Sequence, residues 1–247
     1  MNVLLIARLI RFGWLALDAI LDDQAVKDAL ARYAKFFGLA IDTDGVIEHA
    51  MRPRCGCADV RRSGASLCRW PSPVVTVSPQ LVGLHHSASV VEEAIADALT
   101  AWSDVCGIEW RYSADRARAN IVMRAGKIDG PGAVLAWSEL PCNAHANTSL
   151  NQLYDTNENW TPTWLRAVIA HELGHALGLD HSSNPRDLMY AIANPAIWRP
   201  QDGDVVEFLK RYPTSTAVPA PAPPTKPIAT LAVNVPLEPG VYEVIRK

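Results

Sequence analysis

His171-Glu172-Leu173-Gly174-His175-Ala176-Leu177-Gly178-Leu179-Asp180-His181 is the stretch of this 247-residue chain that decides its fold. It reads H-E-x-x-H-x-x-G-x-x-H. Residues four apart share one face of a helix, so the spacing predicts that His171 and His175 grip a single metal ion. Glu172 lies beside them, placed to take a proton from a metal-bound water. Gly178 is expected to stop the helix in a left-handed turn, which brings His181 back as a third ligand. Three imidazoles leave a tetrahedral zinc one open position, the layout of a catalytic rather than a structural site. H-E-x-x-H alone also occurs on the polar face of ordinary amphipathic helices. Such a helix needs neither Gly178 nor His181.

Eight residues beyond His181 comes Met189-Tyr190, preceded by Leu188. The extended motif with this downstream methionine resembles the metzincin pattern. There Met189 would form the Met-turn, packing under the zinc site without binding metal, a role compatible with simple core filling. The short run from His181-Ser182 to Leu188-Met189-Tyr190 resembles the matrixin branch, the matrix metalloproteinases and their relatives. A second, independent stretch agrees. Pro53-Arg54-Cys55-Gly56-Cys57-Ala58-Asp59-Val60 resembles the matrixin cysteine switch, P-R-C-G-x-P-D. The resemblance implies that Cys55 occupies the open zinc position and keeps the chain latent, with Arg54 and Asp59 as the ion pair that holds the loop. Thiolate is a strong zinc ligand and displaces the water that hydrolysis needs. Two positions depart from the pattern: Cys57 stands at a variable site, and Ala58 replaces a proline. The other reading of Cys55 and Cys57 is a C-x-C metal or redox pair.

Further expectations rest on the resemblance. Asp129-Gly130-Pro131-Gly132-Ala133-Val134-Leu135 is similar to the matrixin D-G-P-G-x-V-L segment. This implies calcium ligands at Asp129, Gly130, Gly132 and Val134, partly through carbonyls, completed by Asp155 and Glu158 ahead of Trp160; oxygen donors suit calcium. A glycine turn beside a solvated acidic edge is the plainer reading. The family's second zinc would need histidines where this chain has Trp137 and Leu153, and the preceding loop is shortened to Lys127-Ile128. One zinc is therefore expected, not two. The remaining histidines, His49, His85, His86 and His145, read as surface or satisfied polar residues. Ala191-Ile192-Ala193 replaces the family's Pro-x-Tyr, so the family preference at the S1′ pocket does not carry over.

Composition sets wide bounds. Hydrophobic residues make up 49% of the chain and the net charge is −3, with no basic run to suggest nucleic acid and no apolar stretch long enough to span a membrane. The five cysteines fit one latency thiol plus pairs of undetermined connectivity, Cys106 with Cys142 being one guess. Met1 to Ile20 is apolar but broken by Arg8 and Arg11, with no clear small-residue cleavage site, and reads as the first helix of a prodomain. Arg11-Phe12-Gly13-Trp14-Leu15 and Phe36-Phe37-Gly38-Leu39 resemble the R-F-G-Y-L and F-F-G-L of matrixin prodomains. That helical module also resembles peptidoglycan-binding-like domains.

The expected fold is α+β of α/β type. A metzincin catalytic domain, with a twisted, mostly parallel sheet, an antiparallel edge strand and three helices, follows a small helical prodomain. Residues 1–60 are assigned to the prodomain, with Ala25, Leu30, Tyr33, Phe36 and Phe37 as an apolar stripe. Residues 61–72 form a polar connector in which Arg61 and Arg62 mark an activation region. The peptidase domain takes 73–213. A Pro/Ala-rich linker takes 214–227 and a short tail 228–247. Within the peptidase domain, strands are predicted at 74–77, 107–112, 119–123, 133–137 and 149–154. A helix is expected to follow a capping box at Ser89–Glu92, the zinc helix to start at Thr161-Pro162, and the last helix to cover 204–212.

The function implied is a latent, monomeric zinc endopeptidase acting on proteins or peptides. It would be exported by family resemblance, although no clear signal peptide is seen. A catalytically silent zinc-bound module for peptide or cell wall is the alternative, and an intracellular self-processing factor a third reading. The intact Glu172 speaks against the silent module, because holding zinc needs no base.

Overall fold

The computed structural model describes residues 3–19, 22–40, 43–59, 69–141 and 149–213. Outside them lie Arg61, Arg62, Cys68, Cys142, His145, the Pro/Ala-rich linker and the tail. Three helices open the chain: α1 (Val3–Arg11), α2 (Asp23–Phe36) and α3 (Thr43–Ala50). The Asp22 carboxylate caps α2 by accepting the backbone N–H groups of Gln24 and Ala25. The buried face of α2 is Val26, Ala29, Tyr33 and Ala34, continued by Phe37. It is turned slightly from the expected stripe, leaving Ala25, Leu30 and Phe36 at its edges. Arg8, which interrupts the apolar run in sequence, is buried, and its Nη1 donates to the carbonyls of Ala50 and Arg52. The charge that breaks the apolar run thus ties α1 to the end of α3.

The second layer is a five-stranded sheet formed by β1 (Val74–Gln80), β2 (Glu109–Tyr112), β3 (Ile121–Gly126), β4 (Ala136–Ser138) and β5 (Leu150–Asp155). Its order is β2-β1-β3-β5-β4, parallel throughout except for β4, which runs antiparallel to β5 at one edge. Three helices complete this half: α4 (Ala88–Cys106), α5 (Pro162–Ala176) and α6 (Asp202–Arg211). The expected mostly parallel sheet, antiparallel edge strand and three helices are all present. Several boundaries shift. The β4 ladder covers 136–138; ahead of it Leu135 O still accepts the Asp155 N–H, while Ala133 O and Leu135 N–H pair with Arg54 of the N-terminal segment. The capping box at Ser89 does not form: α4 begins at Ala88 after Ser87, whose hydroxyl bonds that of Ser89 rather than the helix. Helix α6 starts at Asp202, two residues early, because Gln201 N–H is taken by the Asp204 carboxylate.

Helix α5 carries the metal motif and is buried almost all round from Leu165 to Ala176. A helix so enclosed has no solvated face to lend its polar groups, so the surrounding protein must satisfy them. Thr161 Oγ1 accepts the N–H of Trp164 at its start, and Pro162 fills the first turn. Trp102 of α4 donates its indole N–H to the Ala170 carbonyl at 2.8 Å. The helix ends where Gly178 adopts φ 99°, as its sequence predicts. Within the segment expected as connector, Trp70 donates its indole N–H to Ala176 O and its backbone N–H to Tyr212 Oη, so this residue is packed on the domain.

Gly174 lies where α5 crosses Trp102 and Met189. A Cβ there would stand 2.3 Å from Met189 Sδ and 2.8 Å from Trp102 Cζ2. Gly174→Ala is expected to destabilise the fold by about 1–3 kcal/mol, read as a lower Tm by calorimetry; an unchanged Tm would contradict this packing.

Candidate metal centre

His171, His175 and His181 converge as the spacing predicts. Nε2 of His175 is 3.2 Å from Nε2 of His171 and 3.2 Å from Nε2 of His181. The far side of each ring is engaged. His171 Nδ1 lies 2.7 Å from Leu188 O, His175 Nδ1 2.8 Å from Leu179 O, and His181 Nδ1 2.8 Å from Asp59 Oδ1. Those partners are acceptors, so each Nδ1 carries the hydrogen and each Nε2 presents a lone pair. Burial, aided by His181, pushes His171 down to about 3, which keeps its ring neutral. Three lone pairs aimed at one buried point repel one another unless a cation lies between them. A tetrahedral zinc at ordinary bond lengths separates its nitrogens by roughly 3.3 Å, so the donor set fits zinc.

Cys55 closes the cluster. Its Sγ is 3.4 Å from His175 Nε2, and one ligand atom from each of Cys55, His171, His175 and His181 lies within 4.8 Å of the others. Burial pushes the Cys55 thiol well above its ordinary value, so a bound cation is what would hold it as thiolate. Residues 54–56 lie as an extended strand between two segments. Arg54 N–H donates to Ala133 O, Leu135 N–H to Arg54 O, and Gly56 N–H to Ala136 O, in a parallel sense. On the other side Cys55 N–H donates to Ala191 O.

Arg54 is fully buried. It pairs with the Asp59 carboxylate, donates to Tyr33 Oη at 3.2 Å, and lies 3.9 Å over the Phe12 ring. Asp59 also accepts the Trp14 indole N–H. Burial alone would raise the Asp59 carboxyl, but Arg54, then His181 and Trp14, hold it below its ordinary value. The predicted pair is therefore the centre of a larger clamp, whose Asp59 also orients the third imidazole. A second clamp runs through His49, which the sequence reading left as a satisfied polar residue. Its Nδ1 is 2.8 Å from Tyr33 Oη and its Nε2 2.7 Å from Tyr190 Oη, joining α2 to the turn after Met189.

Glu172 is fully buried beside the cluster. Burial pushes its carboxyl up to about 8, with hydrogen bonds from Cys55 and Cys57 opposing, and Oε1 has no hydrogen-bond partner. Its backbone carbonyl accepts from Gln152 Nε2, which also donates to Ser138 Oγ, while Tyr154 Oη donates to Gln152 Oε1. A glutamine in a strand reads as surface in sequence, and nothing short of the fold reveals that Gln152 braces the motif helix from the sheet. Asp204 escaped the reading similarly: its carboxylate accepts the N–H groups of Leu188 and Met189, fixing the turn below His171. The acidic residue three places after Gln201 was the available signal.

The other expected sites divide. Asp129, Asp155 and Glu158 meet at one turn where Gly130 and Gly132 take positive φ, but their oxygens face backbone amides. Asp129 Oδ1 accepts Val134 N–H, Asp155 Oδ2 accepts Asp129 N–H, and Glu158 Oε1 accepts Gly132 and Ala133 N–H. Trp137 stands opposite Leu153 in the β4–β5 register, an apolar cross-strand pair. Ala191 and Ala193 join Leu135, Val168, His171, Glu172 and Cys55 around a cavity of only about 10 Å³. His86 Nε2 contacts Trp160 O, and His85 is exposed.

Residues 75–207 match the matrixin family. The hatching enzyme of Paracentrotus lividus is 34% identical over 152 residues, covering 56% of this chain and 25% of that protein. Matrix metalloproteinase-C of Caenorhabditis elegans is 29% identical over 194 residues, 68% of this chain and 32% of its own length. Neutrophil collagenase of Homo sapiens is 31% identical over 191 residues, 68% of this chain and 38% of that one. The chain thus spans between 25% and 38% of the length of these relatives.

Burial, with Arg54 and Arg52 nearby, lowers His49 to about 4. The unfolded chain takes this proton first as pH falls, so the folded state loses stability from about pH 6.5 down to about 4, by roughly 3 kcal/mol. His49→Gln should flatten that decline in urea titrations at pH 7 and 4.5. Parallel pH curves for the two proteins would remove His49 as the cause.

Proposed function

This chain belongs to the matrixin family, and from that footing we propose that it is a zinc-dependent endopeptidase held latent by its own N-terminal segment. One observation carries the reading: three neutral imidazole lone pairs and the Cys55 thiol converge on one point, with the buried Glu172 carboxyl beside it. His171, His175 and His181 would hold the zinc, and Cys55 would take the fourth position in the latent form. Zinc bound there supplies Lewis acidity, polarising a scissile carbonyl and making water more acidic.

The chain's own residues do the rest. Glu172 takes the proton of the attacking water on a carboxylate oxygen and passes it to the leaving amine. The hydrogen bonds at Leu188 O, Leu179 O and Asp59 keep each imidazole in the tautomer that presents Nε2. The backbone at 133–136, which holds the switch strand, offers the same groups to an extended peptide once that strand has left. The substrate class is accordingly an extended segment of protein. The region 1–60 acts as the prodomain, 61–72 as the activation connector and 73–213 as the peptidase domain. Met189 supports the centre from below.

Calcium would be held by Asp129, Asp155 and Glu158 with the carbonyls of Gly130, Gly132 and Val134, and its binding would require the carboxylates to give up their backbone amides. Action outside the cell, as a monomer, accords with the family. No helix among the described residues is long and apolar enough to cross a membrane.

Glu172→Ala should keep its zinc by elemental analysis and lose peptide hydrolysis by about 10²–10⁴-fold; full turnover in the metal-loaded variant would remove Glu172 from its role. Cys55→Ser should hydrolyse a general peptide substrate without proteolytic treatment. Undiminished latency in that variant would argue against the switch.

A further inference from the structure

Cys57 has no part in the mechanism above, yet it reaches the same point. The chain bends at Cys57, just past the segment that holds Cys55 at the metal centre, and the bend brings the Cys57 sulfur to the same place. Cys57 Sγ is 3.7 Å from Glu172 Oε2, 3.4 Å from Ser138 O and 3.3 Å from Ser138 N. Cys57 N–H donates to Cys55 Sγ at 3.2 Å. The ligand atoms of Cys55, Cys57, Glu172 and His175 all lie within 4.8 Å of one another. Both cysteines are free. Gly56 between them packs flat on the neighbouring strand: a Cβ there would stand 2.6 Å from Val134 Cγ1. Glycine also leaves the backbone free to close the small ring that a disulfide across one residue requires.

We propose that Cys55 and Cys57 form a redox pair whose disulfide lifts Cys55 off the metal and unmasks Glu172 while the prodomain remains attached. The proposal rests on the reading that Cys55 closes the metal site. Exposure sets the order of events. Cys57 is half-buried at the rim and Cys55 only 3% exposed, so a peroxide reaches Cys57 first. The Cys57 thiol is oxidised to a sulfenic acid as hydrogen peroxide is reduced to water. Cys55 sulfur then attacks Cys57 sulfur; the S–S bond forms, the S–O bond breaks, and the departing hydroxide takes a proton to become a second water. The two sulfurs have lost two electrons and the Cys57 thiol its proton; metal-held Cys55 enters as thiolate, so the departing hydroxide takes its proton from solvent, and one peroxide has become two waters. A disulfide sulfur is a poor metal ligand, so the fourth position opens. The Arg54–Asp59 and Tyr33–His49–Tyr190 contacts still hold the segment, so a thiol reductant can restore the latent state. Cleavage of the connector could not be undone in that way.

The test uses the full chain loaded with cobalt in place of zinc, treated with hydrogen peroxide. Trypsin releases Cys55–Arg61, which contains these two cysteines and no other. The expected result has two parts. This peptide becomes lighter by two hydrogens, and the near-ultraviolet thiolate-to-cobalt band disappears in step with it, both reversing on reduction. In Cys57→Ala and Cys57→Ser the reversible loss should be absent. A band that persists with the disulfide formed would overturn the proposal. So would a peptide that keeps both thiols or gains only oxygen, or the same reversible loss in the Cys57 variants. The underlying protease reading is tested separately, by hydrolysis after limited proteolysis of the zinc-loaded chain. Inactivity there would sink that reading without altering the thiol chemistry measured on the peptide.

Discussion

Three imidazole nitrogens gathered in a buried site, that of His175 lying 3.2 Å from each of the other two, are the constraint around which this molecule is built. Such an arrangement is unfavourable by itself, so it persists only because each ring is fixed from behind. Two of the fixing groups are backbone carbonyls, Leu188 O and Leu179 O. Their positions depend on two further features: the left-handed turn at Gly178, and the Asp204 carboxylate that anchors the Leu188–Met189 amides. The burial of α5 follows from the same need. Solvent around the helix would hydrate the imidazoles and compete for their protons.

The third fixing group comes from a different part of the chain. Asp59 supports His181, and the same carboxylate binds Arg54 and Trp14. Under the proposed latency, the switch loop and the metal geometry share one carboxylate. Removal of the N-terminal segment would then also remove the hydrogen-bond partner of His181, and a partner of that kind to a metal ligand typically affects metal affinity by 10–100-fold. The centre would be changed as well as uncovered, with His181 left to find water or another acceptor.

The metal motif was legible in the sequence because its spacing is the helix's own period, and Gly178 marks where that period must end. The sheet was legible as a succession of strands with an antiparallel one at its edge, but where that edge strand begins was not. Residues 133–135 have strand-like composition, yet only Leu135 O is bonded to β5, by the Asp155 N–H, while Ala133 O and Leu135 N–H pair with Arg54, a partner some 80 residues away that no local pattern encodes. Arg54 and Asp59 could be named from resemblance, whereas the link from Asp59 to His181 exists only in three dimensions. Arg8, His49 and Gln152 share one property: each is a polar residue whose partners are brought by distant elements, so sequence alone does not say which groups satisfy it. Cys57 looked like a departure at a variable position until the bend there brought its sulfur to Glu172.

The strand at 54–56 also completes a sheet. While it is in place, Ala133 O, Leu135 N and Ala136 O are paired, and the β4 side of the sheet presents no raw edge to solvent. Once it leaves, that edge is a template for any extended chain, another copy of this protein included. The segment would therefore serve solubility as well as the proposed latency, keeping the folded chain from edge-to-edge growth during storage. Handling the chain without that segment at high concentration, for crystals or assays, would become a problem of colloidal stability that an edge-capping peptide would relieve.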